Sequence, residues 1–317
     1  MVDIFVDSGA HSLYTQEVIK KKHQKGYSYF ESDEFWKYVD DYAEFIKKYK
    51  NEISVYVNVD VIFNPELSWE VQQYLENNHG LKPLPVIHYG TDFKWLEHYL
   101  SKDYEYIGLG GIGQEVNIRD WSVWGDRAFS LICDTEDRLP KVKVHGFAMT
   151  SLRAMLRYPW YSVDSTTWVT FSRFGVIMVP RYQGRKWIYD ENCWNVAVSI
   201  YSSKQKELGK HLKTFSPKEQ ELIISYIQEK GFKLGKSSHK REPLDYELKE
   251  NEKWSEKKKD VKGNDREVEI IEEHGVCNDY RERDMMNAMY FNDLQKTMQS
   301  WPWPFSLNKT IQSGFGL

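Results

Sequence analysis

Two aspartates in this chain stand at the point where an apolar segment ends, and each is followed by a serine. Asp7 ends the segment Val2–Val6, and Asp164 ends Tyr161–Val163. A carboxylate at the end of a strand, opening into a turn of small polar residues, lies where parallel sheets build their sites. Two of them predict glycosyl chemistry, in which one attacks a sugar carbon and the other transfers the proton. The alternative is that each aspartate only caps the turn that follows it.

Other polar residues and glycines fall directly after Asp7 or at the ends of further apolar segments. Asp60 follows such a segment, and a carboxylate there can accept two N–H donors from the edge of a purine. The glycine-rich segment 108–113 lacks the Lys-Ser/Thr pair of a phosphate-binding loop and predicts close backbone approach to a planar group. The residues predicted to bind such a group are Ser8, Gly9, Asp60, His88, Gly110, Gly111 and His145.

A metal site is the alternative for Asp60, His88 and His145. The sequence contains no His-x-His or His-x3-His pair to hold a metal ion. A lone histidine is also more often a hydrogen-bonded structural residue than a ligand. We therefore predict neither a metal nor a cofactor.

Aromatic residues precede the second aspartate. Tyr158 and Trp160 predict a poorly solvated environment for Asp164. A carboxylate that has lost part of its hydration becomes more nucleophilic when a substrate excludes water.

From the first residue to about residue 180, predicted strands alternate with predicted helices, as in βα units with a parallel sheet. These elements must position the residues named above. No Gly-x-Gly-x-x-Gly fingerprint follows the first strand, which favours a (β/α)8 barrel over a doubly wound sheet. The predicted strands are Val2–Val6, Ile53–Val59, Leu84–His88, Tyr104–Leu109, Val142–Phe147, Tyr161–Val163 and Val176–Val179. The predicted helices between them include Asp33–Tyr49, Ser68–Asn78, Asp92–Tyr99 and Ser151–Arg157.

The pattern changes in the carboxyl-terminal part. After a strand-like run at Trp194–Tyr201, an N-cap signature at Ser216 predicts a helix that ends near Lys230. The segment 236–265 is dense in Lys, Glu and Asp and predicts a solvated surface loop. The last helix, about Tyr280 to Met298, carries an apolar stripe that predicts packing against the barrel. We divide the chain into a barrel core, 1–202, and a helical, charged extension, 203–317.

Composition limits the class of protein. A chain of 317 residues with 41% hydrophobic residues can fill a substantial core, and its net charge of -4 is not that of a protein coated with basic residues for nucleic acid. The three cysteines are far apart and odd in number, which predicts neither a disulfide framework nor a zinc site. No apolar run is long enough for a membrane span, and no signal peptide is evident. We expect a cytoplasmic protein without a membrane partner.

Taken in order, the motifs resemble those of the tRNA-guanine transglycosylase superfamily, and most closely the phage and bacterial enzymes that place 7-deazaguanines in DNA. Asp7-Ser8-Gly9 resembles the family segment with the general acid/base, and Asp60 resembles the base-reading aspartate. Val163-Asp164-Ser165 resembles the segment with the nucleophile. The remaining matches are His88-Tyr89-Gly90, Gly110-Gly111-Ile112, Arg173-Phe174-Gly175 and Asn287-Ala288-Met289-Tyr290-Phe291.

The resemblance implies a (β/α)8 barrel that exchanges guanine in a polynucleotide for a 7-deazaguanine such as preQ0. It implies Asp164 as the nucleophile, Asp7 as the acid and base, and nucleic-acid contacts from Arg173, Tyr158 and Trp160. The zinc subdomain of the family is absent from the sequence, as is the antiparallel sheet that precedes its first barrel motif. Because the zinc subdomain helps to contact tRNA, we expect DNA as the substrate, with tRNA as the alternative.

Two other classes of function remain open at this stage. The same carboxylates would serve a barrel hydrolase that acts on a sugar or nucleoside, with water as the acceptor. The chain would otherwise be a non-catalytic nucleic-acid-binding subunit, but such a subunit needs neither Asp7 nor Asp164.

Overall fold

A computed structural model describes residues 3–20, 26–111, 118–149, 151–199, 201–202, 204–255, 261 and 263–307. The chain divides into two compact units. The first comprises residues 1–165 and the segment that begins at Gln299, and the second comprises residues 166–298. The boundary that we predicted between residues 202 and 203 concerns the extent of a barrel and stays a prediction.

Six short parallel strands form the centre of the first unit. Strand β1 pairs with β2, a parallel bridge from Val57 to Leu84 continues the order, and β3, β4, β5 and β6 then pair successively. Their carboxyl ends therefore point the same way, as the alternating pattern predicted. The strands are β1 (Ile4–Val6), β2 (Ile53–Tyr56), β3 (Val86–His88), β4 (Tyr106–Gly110), β5 (Lys143–Gly146) and β6 (Ser162–Val163).

Helices connect these strands, and several begin at the residue types that favour helix starts. Ser32 and Asn64 each accept a backbone N–H at the start of α2 and α3, and Pro65 opens α3. These two helices bury Phe35, Ile46 and other apolar side chains in one core cluster. The helices are α1 (Ala10–Tyr14), α2 (Asp33–Lys48), α3 (Pro65–His79), α4 (Phe93–Leu100), α5 (Ile118–Ile132) and α6 (Leu152–Arg157), with a π-helix at Thr15–Lys20 and a 3-10 helix at Gly26–Glu31.

The second unit has its own core, built on antiparallel strands. Strand β7 pairs with β10, and β8 and β9 form a hairpin. The N-cap predicted at Ser216 is confirmed, because Ser216 and Glu219 form a reciprocal capping box at the start of α8. The elements are α7 (Thr167–Arg173), β7 (Val176–Val179), β8 (Arg181–Gln183), β9 (Lys186–Ile188), β10 (Trp194–Ala197), a 3-10 helix (Leu212–Thr214) and α8 (Pro217–Glu229).

The segment 236–265 is not the surface loop that its composition predicted. It contributes β11 (Lys236–Pro243), β12 (Glu252–Trp254) and the first residue of β13 (Asp265–Glu273) to a three-stranded antiparallel sheet with β13 in the middle. Lys240 lies 2.9 Å from Glu252 and Lys253 lies 3.2 Å from Glu269. The prediction was wrong because these charges pair across strands, which local composition does not reveal.

Only part of the apolar stripe of the final helix, α9 (Tyr280–Thr297), is buried. Met286, Tyr290 and Leu294 are in the core, at a spacing of four residues, whereas Met285 and Met289 are exposed. A helix that packs on one side buries only the positions that return to that side.

The fold is mixed α/β, with parallel strands, as the sequence predicted at the level of class. Its sheets are small, and the described strands do not by themselves form a closed eight-stranded barrel. All three cysteines are free thiols. None of the described helices has the length and apolarity to cross a membrane.

Candidate functional site

Asp7 lies directly after β1, and two features fix the conformation of the turn that follows it. Gly9 has a φ of 77°, a left-handed conformation that favours glycine. The hydroxyl of Tyr38 donates to the carbonyl of Ser8 over 2.6 Å. The Ser8 side chain is buried, and its Oγ has no hydrogen-bond partner among the described residues.

The environment of Asp7 disfavours its charged form. Although the side chain reaches solvent, the surrounding protein removes part of the hydration of the carboxyl and raises its pKa. The negative charges of Asp60 and Asp164 raise the pKa further, and the N–H groups of Ser8 and Gly9 oppose this effect without cancelling it. Asp7 is therefore suited to carry a proton.

Asp164 lies directly after β6, and its environment has the opposite effect. Desolvation raises the pKa of this carboxyl, but His145 and the N–H of Ala148 together lower it below its usual value. The Ala148 N–H donates to Oδ1 over 2.8 Å, and Nε2 of His145 lies 3.6 Å from the same oxygen. The side chain is 58% exposed, so a charged, accessible carboxylate results.

Asp60 forms a pair with His88, the last residue of β3. Because β2 ends at Tyr56, the sequence placed the end of this strand too late, and Asp60 lies four residues beyond it. Oδ2 of Asp60 is hydrogen-bonded to Nε2 of His88, and the Asp60 side chain is only 5% exposed. The sequence predicted two free acceptor oxygens here. The structure engages one of them, Oδ2, in the contact with His88.

The glycines after β4 lie against the turn that follows β3. Gly111 has a φ of 91°, and a Cβ there would come within 2.8 Å of the backbone nitrogen of Tyr89. A Cβ at Gly110 would come within 2.9 Å of Nδ1 of His88. Both glycines are therefore required for close packing at the Asp60–His88 pair. Ile112, which belongs to the same motif, lies outside the described residues.

A cavity of about 10 Å³, lined in part by His88, Ser68 and Tyr99, has room for about one water molecule and is too small for a base. Asp7 and Asp164 are exposed to solvent.

Tyr158 and Trp160 are core residues. Tyr158 is 0% exposed and donates its hydroxyl to Asp126, and the indole of Trp160 donates to the carbonyl of Ala154. Their rings pack on Phe129. This burial argues against the contact with a nucleotide that we predicted, because neither ring is available to a ligand.

Arg173 belongs to the second unit, at the end of α7. Its guanidinium lies 4.3 Å from the ring centre of Tyr280, a cation–π contact. Its predicted contact with nucleic acid stays a prediction.

Sequence reasoning did not identify Ser162, Tyr106 or Ala148, which contact the site through hydrogen bonds. Ser162 lies two residues before Asp164, and residues two apart share one face of a strand. This spacing of two residues was the signal in the sequence that could have identified Ser162. Tyr106 begins β4, and nothing local distinguishes it from a core tyrosine.

No three His, Cys, Asp or Glu side chains in the described part of the chain are grouped as a metal ion would require. Asp7 is nevertheless close enough to both Asp60 and Asp164 for their negative charges to raise its pKa. Comparison with known proteins found no family model, no curated protein and no solved structure that matches this chain.

Proposed function

We propose that this protein is a base-exchanging transglycosylase that replaces guanine in DNA with a 7-deazaguanine such as preQ0. The observation that carries the proposal is the placement of Asp7 and Asp164 directly after the parallel strands β1 and β6, with the N–H of Ala148 donating to Oδ1 of Asp164. The pKa of Asp7 is raised and that of Asp164 is lowered. Such a pair separates a proton carrier from a nucleophile.

We also propose that the parallel strands are part of a (β/α)8 barrel. Strands β1 to β6 are adjacent in sequence order and parallel, with a helix after each of β1 to β5. A doubly wound sheet would reverse its order at a switch point, whereas a barrel keeps it. The candidate residues Asp7, Gly111 and Asp164 directly follow their strands, and His88 is the last residue of its strand, so all four lie where barrels carry their active sites.

In the first half of the reaction, Asp164 attacks C1′ of the target nucleotide. The bond from C1′ to N9 of guanine breaks, its electron pair leaves with the base, and Asp7 supplies the proton that the base needs. An ester between C1′ and Asp164 remains. His145 and Ala148 both approach Oδ1, so Oδ2 is the oxygen presented to C1′.

In the second half, the incoming 7-deazaguanine attacks the same carbon. The ionised Asp7 removes the N9 proton, the new bond to C1′ forms, and Asp164 departs as a carboxylate. Two displacements at one carbon give net retention. Asp60 reads the base edge through Oδ1, while Ser8, Gly9, Gly110 and Gly111 line the base.

The second candidate function is that of a hydrolase, because the site is open to solvent. Asp164 is 58% exposed, so water could reach the glycosyl ester unless the substrate covers it. A hydrolase would release guanine and leave an abasic site, whereas a transglycosylase would leave the strand with a new base.

The test is covalent trapping on guanine-containing DNA and, separately, on tRNA. With the incoming base withheld, the wild-type protein should form a denaturation-resistant adduct with DNA, and Asp164→Asn should lose it by more than about 10²-fold. Asp41→Asn is the matched control, because Asp41 is exposed and paired only with Lys37 among the described contacts. Mass spectrometry of the nucleosides after addition of preQ0 distinguishes exchange from hydrolysis. An undiminished adduct in Asp164→Asn would refute the proposed nucleophile.

A further inference from the structure

Two aromatic rings pack against the imidazole of His145 and limit its movement. Phe5 stacks on one face, with ring centres 4.4 Å apart and planes at 26°, and Phe147 meets the ring edge-on at 4.4 Å. Only 3% of His145 is exposed. The imidazole therefore has little freedom to turn toward a base, which argues against our sequence-based assignment of His145 to base binding.

A chain of hydroxyl groups reaches the other side of the imidazole. Nδ1 lies 2.5 Å from Oγ of Ser162, and that oxygen lies 2.5 Å from the hydroxyl of Tyr106. The chain follows from strand register, because His145 pairs directly with Ser162 across β5 and β6. Burial raises the pKa of Tyr106 to about 12, so its phenol keeps its proton at neutral pH.

The direction of these hydrogen bonds decides where the imidazole carries its proton. If Tyr106 donates to Ser162 and Ser162 donates to Nδ1, the proton of the neutral ring lies on Nε2. The reverse direction would turn a lone pair of Nε2 toward the carboxylate of Asp164, which is unfavourable. Nε2 is buried, has no hydrogen-bond partner within the described residues, and lies 3.6 Å from Oδ1 of Asp164.

We propose that His145 is a positioning residue for Asp164, with its proton fixed on Nε2 by the chain from Tyr106 through Ser162. The role in the reaction rests on the proposed function. A donor on Oδ1 stabilises the carboxylate, orients Oδ2 toward C1′, and then holds the carbonyl oxygen of the ester until the carboxylate leaves again. A small closure of the 3.6 Å gap when substrate excludes water would complete this hydrogen bond.

The titration of Asp164 depends on the charged and titratable groups around His145. Tyr106 from β4 and Asp164, directly after β6, are the titratable groups at the two ends of the chain that runs through His145. Tyr161 is a further titratable group, because its ring packs against that of Tyr106. Phe5, Phe147 and Ser162 also contact the imidazole. Asp7 is the further carboxyl whose charge interacts with Asp164.

The experiment begins with the free, full-length protein. Nitrogen-15 NMR should show the Nε2–H tautomer for His145, and carbon-13 NMR of the aspartate carboxyls should give the titration of Asp164. In His145→Gln and in Ser162→Ala, Asp164 should titrate at higher pH than in the wild type. Tyr161→Phe is the matched control, since it removes a neighbouring hydroxyl that lies outside the chain from Tyr106 to Asp164, and should leave the titration unchanged.

Kinetics then provide the second readout. His145→Gln should lower kcat by about 10²-fold with little change in KM, and should move the acidic limb of the pH profile to higher pH. Ser162→Ala, which keeps the imidazole, should move the limb in the same direction.

An Nδ1–H tautomer, or an Asp164 titration that does not respond to either variant, would overturn the inference even in an active enzyme. Conversely, the titration of Asp164 could respond to both variants in a protein that exchanges no base. That result would refute the proposed function and leave the positioning role of His145 intact.

Discussion

Asp60 is hydrogen-bonded through Oδ2 to Nε2 of His88, and its charge raises the pKa of Asp7. One buried carboxyl thus connects the part of the site that would contact a base with the part that would transfer a proton. The neighbouring strand β3 supplies the imidazole that compensates for its burial.

Asp60→Asn should change two properties at once. The variant loses the charge that raises the pKa of Asp7, so the basic limb of kcat/KM should move to lower pH. It also presents an amide where the base met an acceptor, which should cost about 1–3 kcal/mol for the original base. Competition between guanine and two 7-deazaguanines, measured across pH, checks both effects. Asp41→Asn serves again as the control, and an unchanged base preference would remove Asp60 from the base pocket.

Asp7→Asn and Asp164→Asn should change stability in opposite directions. The pKa of Asp7 is raised in the folded protein, so its ionised form weakens the fold once the pH rises through that value, and the amide should increase the free energy of unfolding at neutral pH. The pKa of Asp164 is lowered, so its contribution is present above the usual pKa and is lost as the pH falls; the amide should decrease stability at neutral pH.

Urea denaturation at neutral pH and at about pH 3, below the ordinary carboxyl pKa, measures the free energy of unfolding of the two variants and of the parent protein. Both differences should shrink as the pH falls, because Asp7 carries its proton there and the contribution of Asp164 is progressively lost. Asp7→Asn should also lower turnover by about 10²–10⁴-fold with little loss of substrate affinity. Equal changes of stability in the two variants would contradict the opposite pKa displacements.

Gly111→Ala should be more destabilising than Gly90→Ala. Both glycines have positive φ values, 91° and 84°, so each substitution carries a backbone cost of about 1–2 kcal/mol. Only at Gly111 does the added Cβ also meet backbone, 2.8 Å from the nitrogen of Tyr89, whereas nothing lies within 4 Å at Gly90. Thermal unfolding of the two variants checks the difference. Similar losses would show that the turn after β4 can relax.

Treatment with a chelator should leave both unfolding temperature and base exchange unchanged. The proposed chemistry uses carboxylates alone, and the cysteines are too far apart in sequence for a zinc site of the usual spacing. Stoichiometric zinc in the purified protein, with unfolding when it is removed, would contradict the expectation.

Local sequence determined the elements and the ends of strands in the first unit. The predicted strand Val2–Val6 contains β1, and the predicted helix Asp33–Tyr49 contains α2. Hydrophobic periodicity and capping residues act within a few positions along the chain, so they can be recognised without tertiary structure. The same signals placed Asp7 and Asp164 directly after strands.

Only the tertiary structure decided which polar groups meet. The contacts of Asp60 with His88 and of His145 with Ser162 join residues 28 and 17 positions apart, and each depends on strand order and register. The same applies to Lys240 and Glu252, which lie on the two strands that flank β13 and meet only after the sheet has formed. Hydrogen bonds and ion pairs across strands leave no periodic signal within either partner, because their geometry exists only after the chain has folded.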